Sequence, residues 1–322
     1  MKTTIIIPNY NGMTYLKNCL QSLSDCVPND FSVIVVDNGS DDGSRELLKE
    51  YGPSLETVYL DQNYGFAQAV NIGLKQVKTP YALLLNNDIT VEPDFVKQME
   101  LAMERHPDCF SVNSRMLSMK NPEKIDGAGD LYCALGWAFA MGKGKNSEKA
   151  CLKERKIFSA CGGASIYRMD VLNQIGFLDE NHFAYLEDVD LGYRAKIYGY
   201  RNYFTPDAVC YHAGSGFSGS RYNDFKVNLS SQNSIYLIYK NMPILQLILN
   251  LPFLLTGFLI KIIFFTLKGM GTVYLRGLGR GFKKSFSGEG RRKKIRFSFR
   301  HLKNYGKIQL ELWWNMVQRI VN

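Results

Sequence analysis

The feature that most constrains the fold of this chain is Tyr81-Ala-Leu-Leu-Leu85, followed at once by Asn86-Asn87-Asp88. Five uncharged, mostly apolar residues bounded by polar ones read as a strand buried on both faces, as in parallel sheets. In open α/β sheets the carboxyl ends of such strands form the ligand-binding edge. The run therefore delivers two amides and a carboxylate to that edge. An Asp beside amide donors suits a hard divalent cation shared with a substrate phosphate. Roughly 100 residues on, Glu187-Asp188-Val189-Asp190 and His212 supply a candidate base and a second metal ligand.

The first 90 residues repeat the strand pattern. Residues 3–7, 31–36, 55–60 and 81–85 read as short buried strands rich in Val, Ile and Leu. Between them, 14–23, 44–51 and 67–75 have helical spacing, with Leu16, Leu20 and Leu23 on one face. This alternation predicts right-handed βαβ units and an α/β fold with a mostly parallel, Rossmann-like sheet and flanking helices. Ser40-Asp41-Asp42-Gly43-Ser44 supplies turn and cap chemistry for the second helix. The chain has neither a P-loop nor a GxGxxG fingerprint, so kinase-type and nicotinamide sites of those designs are unsupported.

Each predicted strand ends in a polar cluster: Pro8-Asn9-Tyr10-Asn11, Asp37-Asn38-Gly39-Ser40, Asn63-Tyr64-Gly65-Phe66 and Asn86-Asn87-Asp88. One such cluster would be ordinary turn chemistry. Four in register on one edge converge on a crevice that can hold a ring, a ribose and a diphosphate.

Composition sets the outer limits. With 322 residues, 46% of them hydrophobic, the chain can bury one large or two modest cores. Seven cysteines without a CxxC pair read as free thiols in a reducing compartment. No signal peptide is expected, because Lys2 leads into a short β-like run that stops at Pro8. Charge divides the chain: from residue 226 onward, 17 Lys and Arg face only Glu289 and Glu311, a net +15, while the preceding part carries −6. An anionic surface contacted by the tail alone fits that asymmetry.

These motifs resemble inverting glycosyltransferase family 2 enzymes with a GT-A fold. The resemblance rests on Ile5-Ile6-Ile7-Pro8-Asn9-Tyr10-Asn11, Val35-Val36-Asp37-Asn38-Gly39-Ser40, Asn63-Tyr64-Gly65-Phe66-Ala67 and Asn86-Asn87-Asp88. Asp126-Gly-Ala-Gly129, Ala160-Cys-Gly-Gly-Ala-Ser-Ile-Tyr-Arg168, Phe183-Ala-Tyr-Leu-Glu-Asp-Val-Asp190 and Tyr211-His212 are similar to a bacterial rhamnosyltransferase-like branch. The likeness covers residues 3–242. It implies that Asp37 accepts from the pyrimidine imide N–H, with Pro8 and Tyr10 walling the nucleoside. Asn63, Gly65 and Asn71 would line the donor pocket, with Asn86 and Asn87 beside them. Asp88 and His212 would hold Mg²⁺ or Mn²⁺ on the diphosphate, although the family's DxD is Asn86-Asn87-Asp88 here.

The resemblance also implies that Asp188 is the base that deprotonates the acceptor hydroxyl, with Glu187 positioning it. Asp190 reads as an N-terminal helix charge. Trp137, Tyr185 and His182 are candidates to flank the acceptor sugar. Taken alone, the acidic cluster could merely favour a helix N-terminus, and a single His212 could be structural. The donor implied is dTDP-L-rhamnose, with Phe183, Ala184 and Leu186 walling its methyl group; a UDP-hexose is the alternative. Where relatives show Arg-Asn ahead of the Lys-Asn-x-Pro segment, this chain has Gln232-Asn233.

Residues 1–240 are expected to form the GT-A domain and 241–322 an apolar, basic membrane-associated helical tail. Residues 241–260 are uncharged, but Pro252 and Lys261 argue against a clean bilayer span. Gln246, Asn250, Gly257, Lys261 and Lys268 form a polar stripe of the kind found on helices lying in a membrane interface. The basic residues after Arg276, interleaved with phenylalanines and followed by Trp313 and Trp314, suit an anionic membrane surface better than nucleic acid. The expectation is a peripheral or monotopic protein on the cytoplasmic face of the cell membrane, with a nucleotide-sugar donor and a lipid-linked or polysaccharide acceptor. Rival readings are a homodimer closed by the apolar helices, a sugar-1-phosphate nucleotidyltransferase and a non-catalytic scaffold. The nucleotidyltransferase would need a basic, Gly-rich first loop, and intact Asp37, Asp88, Asp188 and His212 count against the scaffold.

Overall fold

The structure, a computed structural model, describes residues 1–214 and 222–321. Its first half is β1 (Thr3–Asn9), α1 (Met13–Ser24), β2 (Phe31–Asp37), α2 (Ser44–Glu50), β3 (Glu56–Tyr59), α3 (Phe66–Leu74) and β4 (Tyr81–Leu85). These follow the predicted alternation, with ends displaced by two residues at most. Strands β4, β1, β2 and β3 lie side by side and parallel, and Ile5, Ile6 and Ile7 are fully buried in β1. β3 departs from the expectation of a buried strand. Among the described residues it is the outer edge of the sheet, paired with β2, and its Glu56 and Tyr59 are exposed.

The chain continues through β5 (Ile89–Val91), α4 (Phe95–Arg105), β6 (Cys109–Ser118), β7 (Asn121–Gly127), β8 (Asp130–Cys133), β9 (Trp137–Ala140), β10 (Arg155–Ile157), β11 (Ala164–Arg168), α5 (Met169–Ile175), α6 (Glu187–Ile197) and β12 (Arg201–His212). The sheet runs β10-β12-β6-β11-β4-β1-β2-β3, and β11 enters antiparallel between β4 and β6. Beyond β4 the sheet is therefore mixed. β12 pairs antiparallel with β5 so that His212 faces Ile89, the residue after Asp88. Backbone register alone brings those two ligand candidates together.

Five helices close the chain: α7 (Asp224–Asn241), α8 (Ile244–Leu267), α9 (Gly271–Ser285), α10 (Gly288–Lys293) and α11 (Leu302–Val321). They pack onto the sheet domain rather than trailing from it. Tyr305, Ile308 and Leu312 of α11 share a buried cluster with Tyr132, Phe158 and Tyr193. Lys240 of α7 reaches Asp179 at 2.6 Å and Asp190 at 2.8 Å, and Arg194 meets Asp190 at 2.9 Å. Asp190 lies in the first turn of α6, as a helix N-terminal charge would, but it is fully buried. It lies at the centre of a buried ion network that locks α7 to α6.

The polar stripe of α8 is also oriented opposite to the expectation. Gln246, Asn250 and Gly257 face inward and are buried, Lys261 is half-buried over the Trp137 ring, and Lys268 alone is exposed. The seven cysteines are all unpaired thiols, as read from the sequence.

Candidate active site

A crevice of about 850 Å³ opens over the carboxyl ends of the parallel strands. Pro8 at the end of β1 and Tyr10 just after it, Asn63 and Gly65 before α3, and Asn86, Asn87 and Asp88 after β4 line one side. Glu187, Asp188 and His212 complete the ten of twelve expected residues found there.

The other two, Asp37 and Asn71, are absent from its walls for a clear reason. Asp37 is fully buried and accepts from Asn9, from the Ser40 backbone N–H and from the Arg45 guanidinium. Asn71 exchanges hydrogen bonds with the backbone of Leu178 at 2.9 and 3.0 Å and donates to Glu180. Both carry bracing roles for which short polar side chains serve as well as they serve a ligand. The same bracing links the loops that do face the crevice. Asn87 donates to Asn9 at 2.6 Å, and Asn38 donates to Asn63 at 2.9 Å.

Of the proposed acceptor contacts, only Tyr185 lines the crevice. His182 is fully buried against Tyr236, and the Trp137 indole N–H donates to the Gly257 carbonyl of α8 at 3.2 Å. The expected sugar wall of Phe183, Ala184 and Leu186 does face the crevice. Phe183 lies directly over Gly65, where an added Cβ would sit 2.6 Å from its ring.

Asp88 and His212 form the candidate metal pair, with Asp88 Oδ2 3.3 Å from His212 Nε2. The imidazole is held from behind by Asp126, whose Oδ2 lies 2.7 Å from Nδ1, and Lys143 pins the other Asp126 oxygen at 2.8 Å. Burial opposes a charge on His212, yet hydrogen bonds to Asp126 and Asp88 raise its pKa to about 9. Asp126 is held down at about 2, where His212 and Lys143 outweigh its burial. A carboxylate oxygen and an imidazole nitrogen whose partner nitrogen is fixed by a second carboxylate are an established donor set for a divalent cation. The residues present therefore fit Mg²⁺ or Mn²⁺. From sequence alone Asp126 reads only as part of a branch motif; its contact with His212 depends on how β7 and β12 flank β6.

Asp188 lies in the first turn of α6 and accepts from the backbone N–H groups of Gly162 at 3.2 Å and Val189 at 2.8 Å. The adjoining Gly163 carbonyl accepts from the Asn86 N–H at 2.8 Å, so one short turn ties the base candidate to the metal strand. Burial raises the pKa of Asp188, partly offset by these N–H donors. Asp130, not anticipated from sequence, closes a cluster in which ligand atoms of Asp130, Cys161 and Asp188 lie within 4.8 Å of one another. Burial and the charge of Asp188 push Asp130 up to about 8, and burial also raises Glu187 well above its ordinary range. Of this cluster, Asp188 is the member whose carboxylate form is supported by backbone N–H donors.

The loop before Asp188 is strained. Phe183, Tyr185 and Leu186 all have positive φ, at 61°, 72° and 69°. Such conformations cost about 1–3 kcal/mol each and persist only where surrounding structure enforces them. Asn233 of α7 does so, its amide N–H₂ lying 2.8–2.9 Å from the carbonyls of His182, Ala184 and Tyr185. In Asn233→Asp, a carboxylate would meet three carbonyl oxygens. We expect kcat to fall by about 10²-fold through misplacement of Asp188, with nucleotide affinity changed far less. Wild-type kcat in that variant would dismiss the bracing role.

With this geometry in view, comparison with known proteins identifies the class. Residues 4–176, more than half of the chain, match glycosyl transferase family 2, and the chain belongs to that family. The fold is GT-A. The TarS 1–349 fragment of S. aureus in complex with UDP-GlcNAc superimposes with a TM-score of 0.59 at 18% identity, over 91% of this chain and 84% of that one. The mannosyltransferase PcManGT from Pyrobaculum calidifontis, in complex with GDP-Man and Mn²⁺, gives 0.54 at 16% identity, over 96% and 87%.

Among curated relatives, the N-acetylglucosaminyl-diphospho-decaprenol L-rhamnosyltransferase of Mycobacterium tuberculosis is 24% identical over 235 residues, 65% of this chain and 75% of that protein. The teichoic acid poly(glycerol phosphate) polymerase of Staphylococcus epidermidis is 40% identical over 91 residues. That match covers 27% of this chain and only 13% of the polymerase.

Proposed function

We propose that this chain transfers a sugar from a nucleotide donor to a hydroxyl of a cell-surface glycan, inverting the anomeric centre. The observation that carries the reading is Asp188 sharing one crevice with the Asp88–His212 pair. Asp88 and His212 would hold Mg²⁺ or Mn²⁺, which when bound stabilises charge on the diphosphate leaving group. Asp188 takes the proton of the acceptor hydroxyl as its oxygen attacks the anomeric carbon from the face opposite the diphosphate. The new C–O bond forms as the bond to the diphosphate oxygen breaks, and that electron pair leaves with the nucleotide. Phe183 roofs the crevice over Gly65 and helps exclude water from the reacting centre.

For the donor we propose dTDP-L-rhamnose. The likeness to a rhamnosyltransferase and the apolar wall of Phe183, Ala184 and Leu186 support it. A UDP-hexose is the second reading, favoured by the likeness to TarS bound to UDP-GlcNAc. The relatives' names support a lipid-linked or polymeric cell-wall acceptor, and hence work at the cytoplasmic face of the membrane.

The test is release of nucleotide diphosphate by purified protein with Mn²⁺, comparing dTDP-L-rhamnose with UDP-glucose, UDP-galactose and UDP-N-acetylglucosamine. Recognition of a single methyl or hydroxyl group is worth about 1–3 kcal/mol, so a preference for the rhamnose donor of roughly tenfold or more is expected. Chelation of the metal should abolish release. Preference for a UDP-hexose would overturn the rhamnose assignment. Release from no donor with metal present would overturn the transferase reading.

A further inference from the structure

Helix α8 shows one narrow inward face and one wide outward face. Gln246, Asn250, Leu254, Gly257 and Phe265 are buried along its length. A Cβ at Gly257 would lie 2.2 Å from the Leu135 carbonyl oxygen, so the helix backbone rests directly on the β8–β9 hairpin. The outward face is apolar and uncovered: Leu245 is 62% exposed, Leu255 63%, Leu259 57% and Leu267 83%. Helix α11 repeats the arrangement beside it. Its Gln309 exchanges hydrogen bonds with Asn250 at 2.7 and 2.9 Å, and the Trp313 indole donates to Asn250 at 3.1 Å. Leu310, Trp313, Trp314 and Val317, at helical spacing on one side, are exposed. A buried polar clasp thus joins two helices whose apolar stripes both face out.

Taking the membrane placement proposed above as its premise, we propose that α8 and α11 form a two-helix platform lying in the headgroup region of an anionic lipid leaflet. Charge selects the occupant. Residues 226–322 carry +15, and α9, stacked on α8 through Phe265 and Tyr274 at 4.9 Å, exposes Arg276, Arg280 and Lys283 with Phe282, and Phe286 just past its end is exposed too. Two copies of so basic a surface would repel one another, whereas an anionic leaflet attracts it. Packing along α8 from Gln246 to Phe265 leaves only one face to immerse, which excludes an isolated bilayer span. The platform is also built onto the catalytic crevice. Tyr132 and Ala134 of the β8–β9 hairpin are hydrogen-bonded to Asn315 and Leu312 of α11, and Ala138, Phe139 and Ala140 line the crevice. An acceptor carried by the leaflet would therefore meet the active site along this hairpin.

The experiment is co-sedimentation of the full chain with phosphatidylcholine vesicles, with and without about one third phosphatidylglycerol. Wild type should pellet with the anionic vesicles, and high salt should release it only in part, because salt screens charge but not apolar burial. Leu255→Asp/Leu259→Asp, and separately Leu310→Asp, should weaken binding at least roughly tenfold while donor hydrolysis is unchanged, which reports an intact fold. Vesicle binding without any donor hydrolysis would keep the platform and remove the transferase reading. The proposal is overturned if wild type does not pellet or if the variants pellet like wild type. It is equally overturned if the wild type is a lipid-free dimer that the variants convert to monomer, since a second copy would then cover the face.

Discussion

Asp188→Asn is expected to lose about 10²–10⁴ of the transfer rate while binding the nucleotide donor at near wild-type affinity. The amide keeps the size of the side chain, and its single oxygen can still accept from one of the two backbone N–H groups, those of Gly162 and Val189, that meet separate oxygens of the carboxylate. It cannot take a proton. Measured as kcat against the donor dissociation constant, the effect should fall almost wholly on kcat. A variant turning over at the wild-type rate would remove Asp188 from the chemistry. Loss of donor binding in step with activity would instead make it a structural residue. The neighbouring acids are poor substitutes, because burial raises the pKa of Asp130 and Glu187 as it does that of Asp188, and Asp188 has the Gly162 and Val189 N–H groups to support its carboxylate.

The largest stability effect is expected at Lys240. The residue is 3% exposed, and its ammonium is shared between Asp179 and Asp190. Lys240→Ala would leave the buried Asp179 carboxylate without a cation and Asp190 with Arg194 alone, and loss of one partner from a buried ion pair costs about 3–5 kcal/mol. The network also sets a pH dependence. Lys240 outweighs burial at both acids, so Asp179 and Asp190 have folded pKa values below their ordinary one. Their contribution is fully present above the unfolded carboxylate pKa near 4 and is lost as pH falls through the lower, folded values. His182, held down at about 4 by burial, adds a loss of the same sign from about pH 6.5 downward. Urea unfolding at neutral and acid pH checks both points. The variant should unfold at lower urea at neutral pH, and the gap from wild type should narrow in acid. Asp179→Asn/Lys240→Met, which removes one charge of each sign and leaves Asp190 paired with Arg194, should recover part of the loss. A single Lys240→Ala with wild-type stability would contradict the account.

The sequence exposed the parts of this molecule that follow from local pattern. The parallel core was legible because β1, β2 and β4 are uninterrupted apolar runs bounded by turn residues. The edge position of β3 was not, because a four-residue strand reads the same whether one neighbour flanks it or two. Asn86-Asn87-Asp88 could be placed at the ligand edge from the strand before it. The reach of Asp126 to His212 could not, because it depends on β12 returning beside β6 and β5. Asp37 and Asn71 show a different limit. Asn and Asp brace loops with the same atoms that bind ligands, so residue type at a strand end does not say which way the side chain turns. The stripe on α8 makes the same point for helices: period 3.6 locates a polar face but does not say whether water or protein covers it. Here Gln309, Trp313 and the Leu135 carbonyl cover it, and the apolar face looks outward.

The most direct test of the central claim is the configuration of the sugar as it first leaves the enzyme. ¹H NMR at early times, on the nucleotide sugar consumed fastest, records the anomer released to acceptor or water before mutarotation. A single carboxylate base opposite the leaving diphosphate requires the anomer of inverted configuration to appear first. Initial release with retained configuration would contradict the role of Asp188 and the mechanism built on it.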